Sequence, residues 1–282
     1  TMQTRRLGRT GLHVSPFGFG TGGGSDPLGQ ESGRPASEMI DLLRTAFDLG
    51  INYFDTAPGY MDSEVILGQA LQALPRDEVV VSSKVPLAGG MPGQPVRIMS
   101  PSEIEASVDH SLERLQLDYL DVLLVAVADD NHFDMVMTDQ MPVLTALQRK
   151  GKVRHLGSSE QTRSDGAHSW LRAILPTNLL DVAMVGHNMF NQSAQRTVFP
   201  ICEERDIGVV NVFTVRRLFS EPARLTEVTR DLQARGIVDG SLDPERPLDW
   251  LLGDGKAANL IEAAYRYALF TPGVTAVMTG TI

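Results

Sequence analysis

The sequence predicts an α/β fold in which eight parallel strands alternate with helices and close into a barrel. Eight short runs rich in Val, Ile, Leu and Phe recur along the chain, and stretches with helical periodicity lie between them. Short apolar runs of this kind suit strands that are buried on both faces of a parallel sheet. A length of 282 residues suits one (β/α)8, or TIM, barrel, so we expect a single domain over residues 1–282.

The predicted strands are the eight apolar runs themselves, at residues 16–20, 51–55, 79–84, 120–125, 153–157, 180–185, 208–213 and 274–280. Helices are predicted from periodicity and from flanking Ser, Pro and Gly residues, at residues 37–49, 100–117, 136–150, 165–175, 224–235 and 258–270. Residues 195–205 are also helix-like. An open, doubly wound sheet is the alternative. It is disfavoured because no Gly-x-Gly-x-x-Gly segment opens a helix after the first strand.

Other segments depart from a simple alternation of strands and helices. Residues 5–14 predict an N-terminal β-hairpin that turns at residues 9–11. The glycines at 22–24 and the Gly/Pro-rich residues 86–95 predict mobile loops. Residues 215–257 form a long excursion after the seventh strand. Loops on that side of a barrel build active sites, so we expect this excursion to shape the substrate pocket.

Composition and charge restrict the classes of function. The net charge of -10 and the pI near 5.1 argue against nucleic acid and anionic membranes as partners. No apolar stretch approaches the ~20 residues that span a bilayer. Cys202 is the one cysteine, which excludes an internal disulfide and a Cys-based zinc site. We therefore expect a cytoplasmic protein without a metal, and a buried structural thiol at Cys202.

Three polar residues follow the second and third predicted strands. Asp55 and Lys84 lie at the C-terminal ends of these strands, where barrel enzymes keep their catalytic groups, and Tyr60 lies in the loop beyond Asp55. A buried lysine beside a carboxylate keeps its charge, and that charge would lower the pKa of a neighbouring tyrosine. Such a tyrosine can donate a proton to a carbonyl or accept one from an alcohol. The spacing alone also fits a structural Lys–Asp pair with an exposed tyrosine.

Several motifs together resemble the aldo-keto reductase family. They are L-G-R-T-G-L-H-V-S-P-F-G-F-G-T at 7–21, G-I-N-Y-F-D-T-A-P-G-Y-M-D-S-E at 50–64, D-Y-L-D-V-L-L-V at 118–125, G-K-V-R-H-L-G-S-S at 151–159 and P-G-V-T-A-V-M-T-G-T at 272–281. The resemblance covers nearly the whole chain in the expected order. It implies an NADP(H)-dependent oxidoreductase that reduces a small aldehyde or ketone, or oxidises the alcohol. Tyr60 would be the proton donor, supported by Lys84 and Asp55.

The chain also departs from the family pattern. Ala126 stands where the family has its fourth catalytic residue, a histidine, so we expect carbonyl reduction to be impaired by about 10²- to 10⁴-fold. His132 and His187 are nearby candidates to replace it, although both also fit local loop residues. The family continues with a helix after the eighth strand, whereas this chain stops at Ile282. We expect that last C-terminal helix to lie beyond the sequence given.

The resemblance further implies a set of cofactor-binding positions, namely Gly20, Thr21, Asp55, Ser159, Glu160, Met184, Phe213, Thr214, Arg217 and Gly280. Glu160 and Met184 replace the asparagine and glutamine that are usual there, and Phe213 replaces a stacking tyrosine. Arg216 and Arg217 would suit a pyrophosphate, or alternatively a surface pair with Glu221.

Two other functions remain open at this point. Retention of Asp55, Tyr60 and Lys84 beside altered nicotinamide contacts also fits a redox-neutral lyase, dehydratase or isomerase that uses this trio for acid/base chemistry. A non-catalytic protein that senses or binds the cofactor is the third possibility. The sequence predicts neither the substrate nor the oligomeric state.

Overall fold

A computed structural model of the chain describes residues 2–22, 26–89, 95–160, 165–253 and 255–280. It begins with a two-stranded antiparallel hairpin of β1 (Arg5–Arg6) and β2 (His13–Val14). The hairpin prediction is confirmed. Eight strands then pair in parallel, namely β3 (Phe17–Gly20), β4 (Tyr53–Asp55), β5 (Val80–Gly89), β7 (Leu120–Val127), β8 (Val153–Ser159), β9 (Val182–Gly186), β10 (Gly208–Val212) and β11 (Ala276–Thr279). A short strand, β6 (Arg97–Ile98), pairs antiparallel with β5.

The parallel strands close into a barrel. β11 pairs with both β10 and β3, and β4 joins β3 to β5, so the ring has no free edge between its first and last strands. Closure confirms the (β/α)8 prediction and excludes the open sheet. The register places Gly20, Asp55 and Ser82 side by side on β3, β4 and β5. Residues at this end of the strands are therefore neighbours although the sequence separates them.

Helices cover the outside of the barrel. They are α1 (Ala36–Asp48), α2 (Ser63–Leu71), α3 (Pro101–Leu115), α4 (Phe133–Met135), α5 (Met141–Arg149), α6 (Ser169–Ile174), α7 (Ser193–Thr197), α8 (Phe199–Glu204), α9 (Pro222–Ala234) and α10 (Leu260–Phe270). A capping box begins α3, in which Ser100 and Glu103 exchange hydrogen bonds. The helix α2 was not predicted. It is buried on most sides, so its sequence lacks the alternation of apolar and polar faces that marks an amphipathic helix.

The apolar core has two layers. Side chains of alternate strand residues fill the barrel interior, among them Tyr53, Leu124, Met184 and Val210, and Leu7 of the hairpin packs with them. The other strand faces pack against the surrounding helices in a larger cluster. Leu7 also lies against Gly208, where an added Cβ would come within 2.6 Å of its side chain. The hairpin thus covers the end of the barrel where β10 begins, opposite the end of β4 that carries Asp55.

Some boundaries differ from the predictions. We predicted a loop from Pro86, but β5 continues to Gly89 through pairing with β6 and β7, so that prediction is wrong for residues 86–89. The seventh parallel strand, β10, ends at Val212, one residue before its predicted end. Phe213 has φ 63, which lies outside the extended region of a strand. Two parts of the predicted loops lie outside the described residues. They are residues 90–94 of the 86–95 loop, and Gly23 and Gly24 of the first loop. Among the described helices, none is long and apolar enough to cross a membrane.

Candidate active site

A buried ion pair joins Asp55, the last residue of β4, to Lys84 in the middle of β5. The ammonium group of Lys84 donates to Asp55 Oδ2 at 2.6 Å and to the backbone oxygen of Thr56 at 2.8 Å. The other carboxylate oxygen, Asp55 Oδ1, accepts from the hydroxyl of Ser82 at 2.7 Å. Both oxygens of Asp55 are thus engaged, and the position of Lys84 is fixed by two acceptors.

The surroundings of Lys84 favour its charged form. Its side chain is 13% exposed and that of Asp55 is 7% exposed, so little water screens the pair. Burial by itself lowers the pKa of Lys84, but the Asp55 carboxylate and the neighbouring Tyr60 raise it by more. The net pKa of Lys84 is above the usual lysine value. The site therefore contains a cation that persists across the physiological pH range.

Tyr60 lies against this cation. Its ring centroid is 5.0 Å from Lys84 Nζ, within the range of a cation–π contact. Gly22 packs against the ring, and a Cβ added at Gly22 would lie 2.8 Å from Cε2 and Cζ of Tyr60. The ring therefore fits between Lys84 and a position where only glycine leaves enough room. Sequence and structure together place Asp55, Tyr60 and Lys84 in one cluster.

Ser82 and Gly22 belong to this cluster but were not among the predicted site residues. Ser82 precedes Lys84 by two residues on β5, so both side chains point to the same face of the strand. Ser82 is also the register partner of Asp55. The two-residue repeat of a strand could therefore have identified Ser82, from the sequence, as a neighbour of Lys84. The contact of Gly22 with Tyr60 depends on tertiary structure and had no such signal.

Ala126 lies near the C-terminal end of β7, in register with Pro86 and Ser159. Its partly exposed methyl group can neither donate nor accept a hydrogen bond. The chain thus presents an apolar surface at the position where the family histidine is expected.

The two candidate replacement histidines make local contacts, although the Nδ1 atom of His187 has no hydrogen-bond partner among the described residues. The Nδ1 atom of His132 is 2.9 Å from Asp129 Oδ1. His187 is fully buried, stacks on Tyr267 with a 5.4 Å centroid distance, and meets the ring edge of Phe199. Burial lowers the pKa of His187. Both side chains are engaged in local contacts, His187 with residues of α8 and α10.

Several predicted cofactor positions meet at the rim formed by β3, β10 and β11. The ends of β3 and β11 approach so closely that a Cβ added at Gly280 would lie 2.8 Å from the backbone oxygen of Gly20. Thr21 and Thr214 are buried, and Thr214 Oγ1 accepts from Asn211 Nδ2 at 2.9 Å. The hydroxyl of Thr21 has no hydrogen-bond partner within the described residues. This rim fits a bound polar ligand.

The two arginines after β10 behave differently. The guanidinium of Arg216 lies 3.9 Å from the ring centroid of the partly exposed Phe213. Arg217 instead forms a bidentate pair with Glu221, with distances of 2.6 and 3.1 Å, and its side chain is 80% exposed. For Arg217 the structure therefore shows the surface pair, which was the second of the two alternatives. Its role toward a pyrophosphate stays a prediction.

The positions on β8 and β9 fit a nicotinamide amide less well. Glu160 Oε2 accepts from the backbone N–H of Gly186 at 2.8 Å, and Glu160 Oε1 pairs with His168. The Glu160 and His168 side chains are each only 1% exposed. Met184 is packed in the barrel interior. Ser159 is partly exposed and next to Met184 in register. Of these residues, Ser159 alone presents a polar side chain at the surface of the rim.

Comparisons with known proteins identify relatives of this chain. A profile of the aldo/keto reductase family matches residues 17–281. L-galactose dehydrogenase of Arabidopsis thaliana is 33% identical over 74% of this chain, and an NADH-specific methylglyoxal reductase of Escherichia coli is 32% identical over 72%. The aligned part covers 64% of each of these relatives.

A solved structure shows the same fold. The aldo-keto reductase AKR11C1 from Bacillus halodurans in its holo form superposes with a TM-score of 0.74 at 22% identity. The alignment covers 100% of this chain and 87% of that structure. With the family profile matched over almost the entire barrel, this chain belongs to the aldo/keto reductase family.

Proposed function

We propose that this chain is an NADP(H)-dependent oxidoreductase that reduces an aldehyde or ketone, or oxidises the corresponding alcohol, with Tyr60 as the proton donor. The observation that supports the proposal most strongly is the buried Lys84–Asp55 ion pair against the Tyr60 ring. A structural ion pair on a barrel rim would not need a tyrosine seated on its cation, nor a glycine that makes room for the ring.

The chemistry follows from the contacts of these residues. Ser82 and Lys84 occupy both oxygens of Asp55, so the carboxylate keeps Lys84 oriented. The ammonium charge then stabilises the negative charge that grows on the Tyr60 oxygen as its proton leaves. Tyr60 can therefore transfer a proton to a carbonyl oxygen, and it can take the proton back when an alcohol is oxidised.

The cofactor is expected at the rim of β3, β10 and β11. Gly20, Thr21, Phe213, Thr214 and Gly280 would hold it, together with Asp55 and Ser159. A nicotinamide cofactor supplies or accepts the hydride when it is bound. The resemblance favours NADP(H), whereas the name of the Escherichia coli relative specifies NADH. Titration with both cofactors by calorimetry distinguishes them, and binding at micromolar affinity, about -8 kcal/mol, would support the proposal.

The substrate is expected to be a small polar carbonyl compound or its alcohol. The two curated relatives are named for L-galactose and methylglyoxal, which are both of this kind. A screen of aldoses and small aldehydes with NADPH and NADH, read by cofactor oxidation, tests the proposal. Consumption of cofactor that depends on the aldehyde is the expected result. Absence of cofactor binding and of turnover across the screen would contradict it.

A redox-neutral enzyme is the second candidate. It is favoured by Ala126, and by the engagement of Glu160 with His168, which together remove polar groups that would contact carbonyl and nicotinamide. The Tyr60 trio would then serve as acid and base in a lyase, dehydratase or isomerase. Conversion of a substrate by protein freed of cofactor would support this candidate, and a strict requirement for NADPH or NADH would exclude it.

A further inference from the structure

We propose that Gln30 is a positioning residue that holds Tyr60 in place for proton transfer. Gln30 lies outside the Asp55, Lys84 and Tyr60 cluster, in the connection between β3 and α1. The inference rests on the proposed role of Tyr60, because it concerns how the loop that carries this tyrosine is kept in register with Lys84.

The amide of Gln30 contacts the Tyr60 loop at three points. Its Oε1 accepts from the backbone N–H of Asp62 at 2.9 Å. Its Nε2 donates to the hydroxyl of Ser63 at 3.1 Å and is 3.4 Å from the backbone oxygen of Tyr60. One side chain therefore bridges to both the donor and the acceptor groups of residues 60–63, including the main chain of Tyr60 itself.

The base of this bridge is anchored in the core. Gln30 Nε2 also donates to the backbone oxygen of Pro27 at 2.9 Å, and Gln30 N donates to the same oxygen at 3.1 Å. Leu28, between them, is 1% exposed and belongs to the main apolar cluster. Burial of Leu28 thus fixes the turn formed by residues 27–30. Because Gln30 is held in this turn, its amide can restrict the movement of the Tyr60 loop, residues 60–63.

The Tyr60 loop needs such support. Tyr60 lies between β4 and α2 instead of on a strand, and Met61 has φ 51, a left-handed conformation that is unfavourable for a residue with a side chain. Arg114 of α3 contacts the loop from another direction, through a hydrogen bond to the Met61 oxygen and a 3.3 Å approach to Glu64. A backbone held in a strained conformation persists only where its surroundings determine it, and Gln30 supplies part of that determination.

The residue type matters because the loop offers mixed groups. The Asp62 N–H needs a hydrogen-bond acceptor, whereas the Tyr60 backbone oxygen needs a donor. A primary amide provides both within one planar group. A carboxylate would keep the first contact and lose the second. A thioether of similar size would lose both, which makes Gln30→Met and Gln30→Glu an informative pair.

The first readout is structural. Gln30→Met should raise hydrogen exchange at the Asp62 amide, while Gln30→Glu should leave that amide protected. Gln233→Met is the matched control, since Gln233 Nε2 also donates to two backbone oxygens, those of Asp239 and Leu242, away from the Tyr60 loop. Unchanged exchange at Asp62 in Gln30→Met would overturn the inference.

The second readout is kinetic, on the full chain with an aldehyde from the screen. We expect Gln30→Met to lower kcat by about 10- to 100-fold, since a misplaced catalytic group costs rates of this order, with KM for the cofactor unchanged. Gln30→Glu, which keeps nearly the same side-chain volume, should show a smaller loss.

A double-variant comparison separates a positioning role from a general loss of structure. If Gln30 acts through Tyr60, Gln30→Met should have almost no further effect in a Tyr60→Phe background. An equal loss in both backgrounds, or an unchanged kcat for Gln30→Met alone, would overturn this inference only. An unchanged rate for Tyr60→Phe by itself would overturn the proposed function, and the role of Gln30 with it.

Discussion

At the scale of single residues, the site depends on how tightly Lys84 and Tyr60 are confined. Lys84 has two acceptors, Asp55 and the Thr56 oxygen, and lies 5.0 Å from the Tyr60 ring centroid. Gly22 packs against the Tyr60 ring, and a larger residue at this position would collide with the ring. Small changes at these positions should therefore alter catalysis more than they alter stability.

Gly22→Ala should lower kcat by about 10- to 100-fold, because its Cβ would come within 2.8 Å of the Tyr60 ring and displace it. Thermal stability should change little, since a ring at the end of a half-buried side chain can move. Gly59→Ala is the control, because the added Cβ there meets no atom within 4 Å. Equal activity of the two variants would show that the position of the ring is not restricted by Gly22.

Ala126→His should raise the rate of carbonyl reduction by about 10²-fold or more, because it restores a hydrogen-bond donor at the end of β7. Steady-state kinetics with one aldehyde measure the effect. Ala126→Leu adds volume without a donor and serves as the control. A gain in both variants would assign the effect to packing, and a gain in neither would mean that Ala126 does not face the reacting carbonyl.

At the scale of the elements, the ends of strands and helices decide where the site residues lie. β5 carries both Ser82 and Lys84, and its extension to Gly89 pairs it with β6 and β7. The helix α3 follows β6 and presents Arg114 to the Tyr60 loop. Stability of α3 is therefore linked to the placement of that loop.

Ser100→Ala should destabilise the chain by about 1 kcal/mol, because the side chain of Ser100 accepts from the Glu103 backbone and completes a capping box. Urea unfolding followed by circular dichroism measures this change. Ser37→Ala, in the exposed first turn of α1, should cost much less. If both substitutions have the same effect, the cap of α3 contributes nothing specific.

At the scale of the whole molecule, the pattern of apolar runs was sufficient to predict the barrel. All eight parallel strands were located because a strand buried on both faces leaves a continuous apolar run. α2 was missed since near-complete burial removes its periodicity, and β6 since two exposed residues carry no pattern. The convergence of Asp55, Tyr60 and Lys84 was predictable from the predicted strand ends, although β5 continues past Lys84 to Gly89. The Glu160–His168 pair and the Gln30 contacts join separate segments, and no local pattern encodes them.

The pH dependence of global stability should contain a contribution from Lys84. Its pKa in the folded chain is above the reference value of 10.5, so folding favours the bound proton. The contribution is complete below the unfolded pKa and is lost as the pH rises through the folded pKa. Lys84→Met removes it and leaves Asp55 buried without its cation. The difference in unfolding free energy between wild type and Lys84→Met should therefore shrink in alkaline solution, and a constant difference would contradict this.

The proposed function requires that Tyr60 donates the proton in carbonyl reduction. The rates of nicotinamide oxidation by wild type and by Tyr60→Phe, at saturating cofactor and aldehyde, measure this role. Tyr60→Phe should be slower by about 10²- to 10⁴-fold with unchanged cofactor affinity, while Tyr119→Phe, a partly exposed tyrosine between Arg76 and Arg154, keeps its rate. Equal rates for wild type and Tyr60→Phe would show that Tyr60 is not the proton donor.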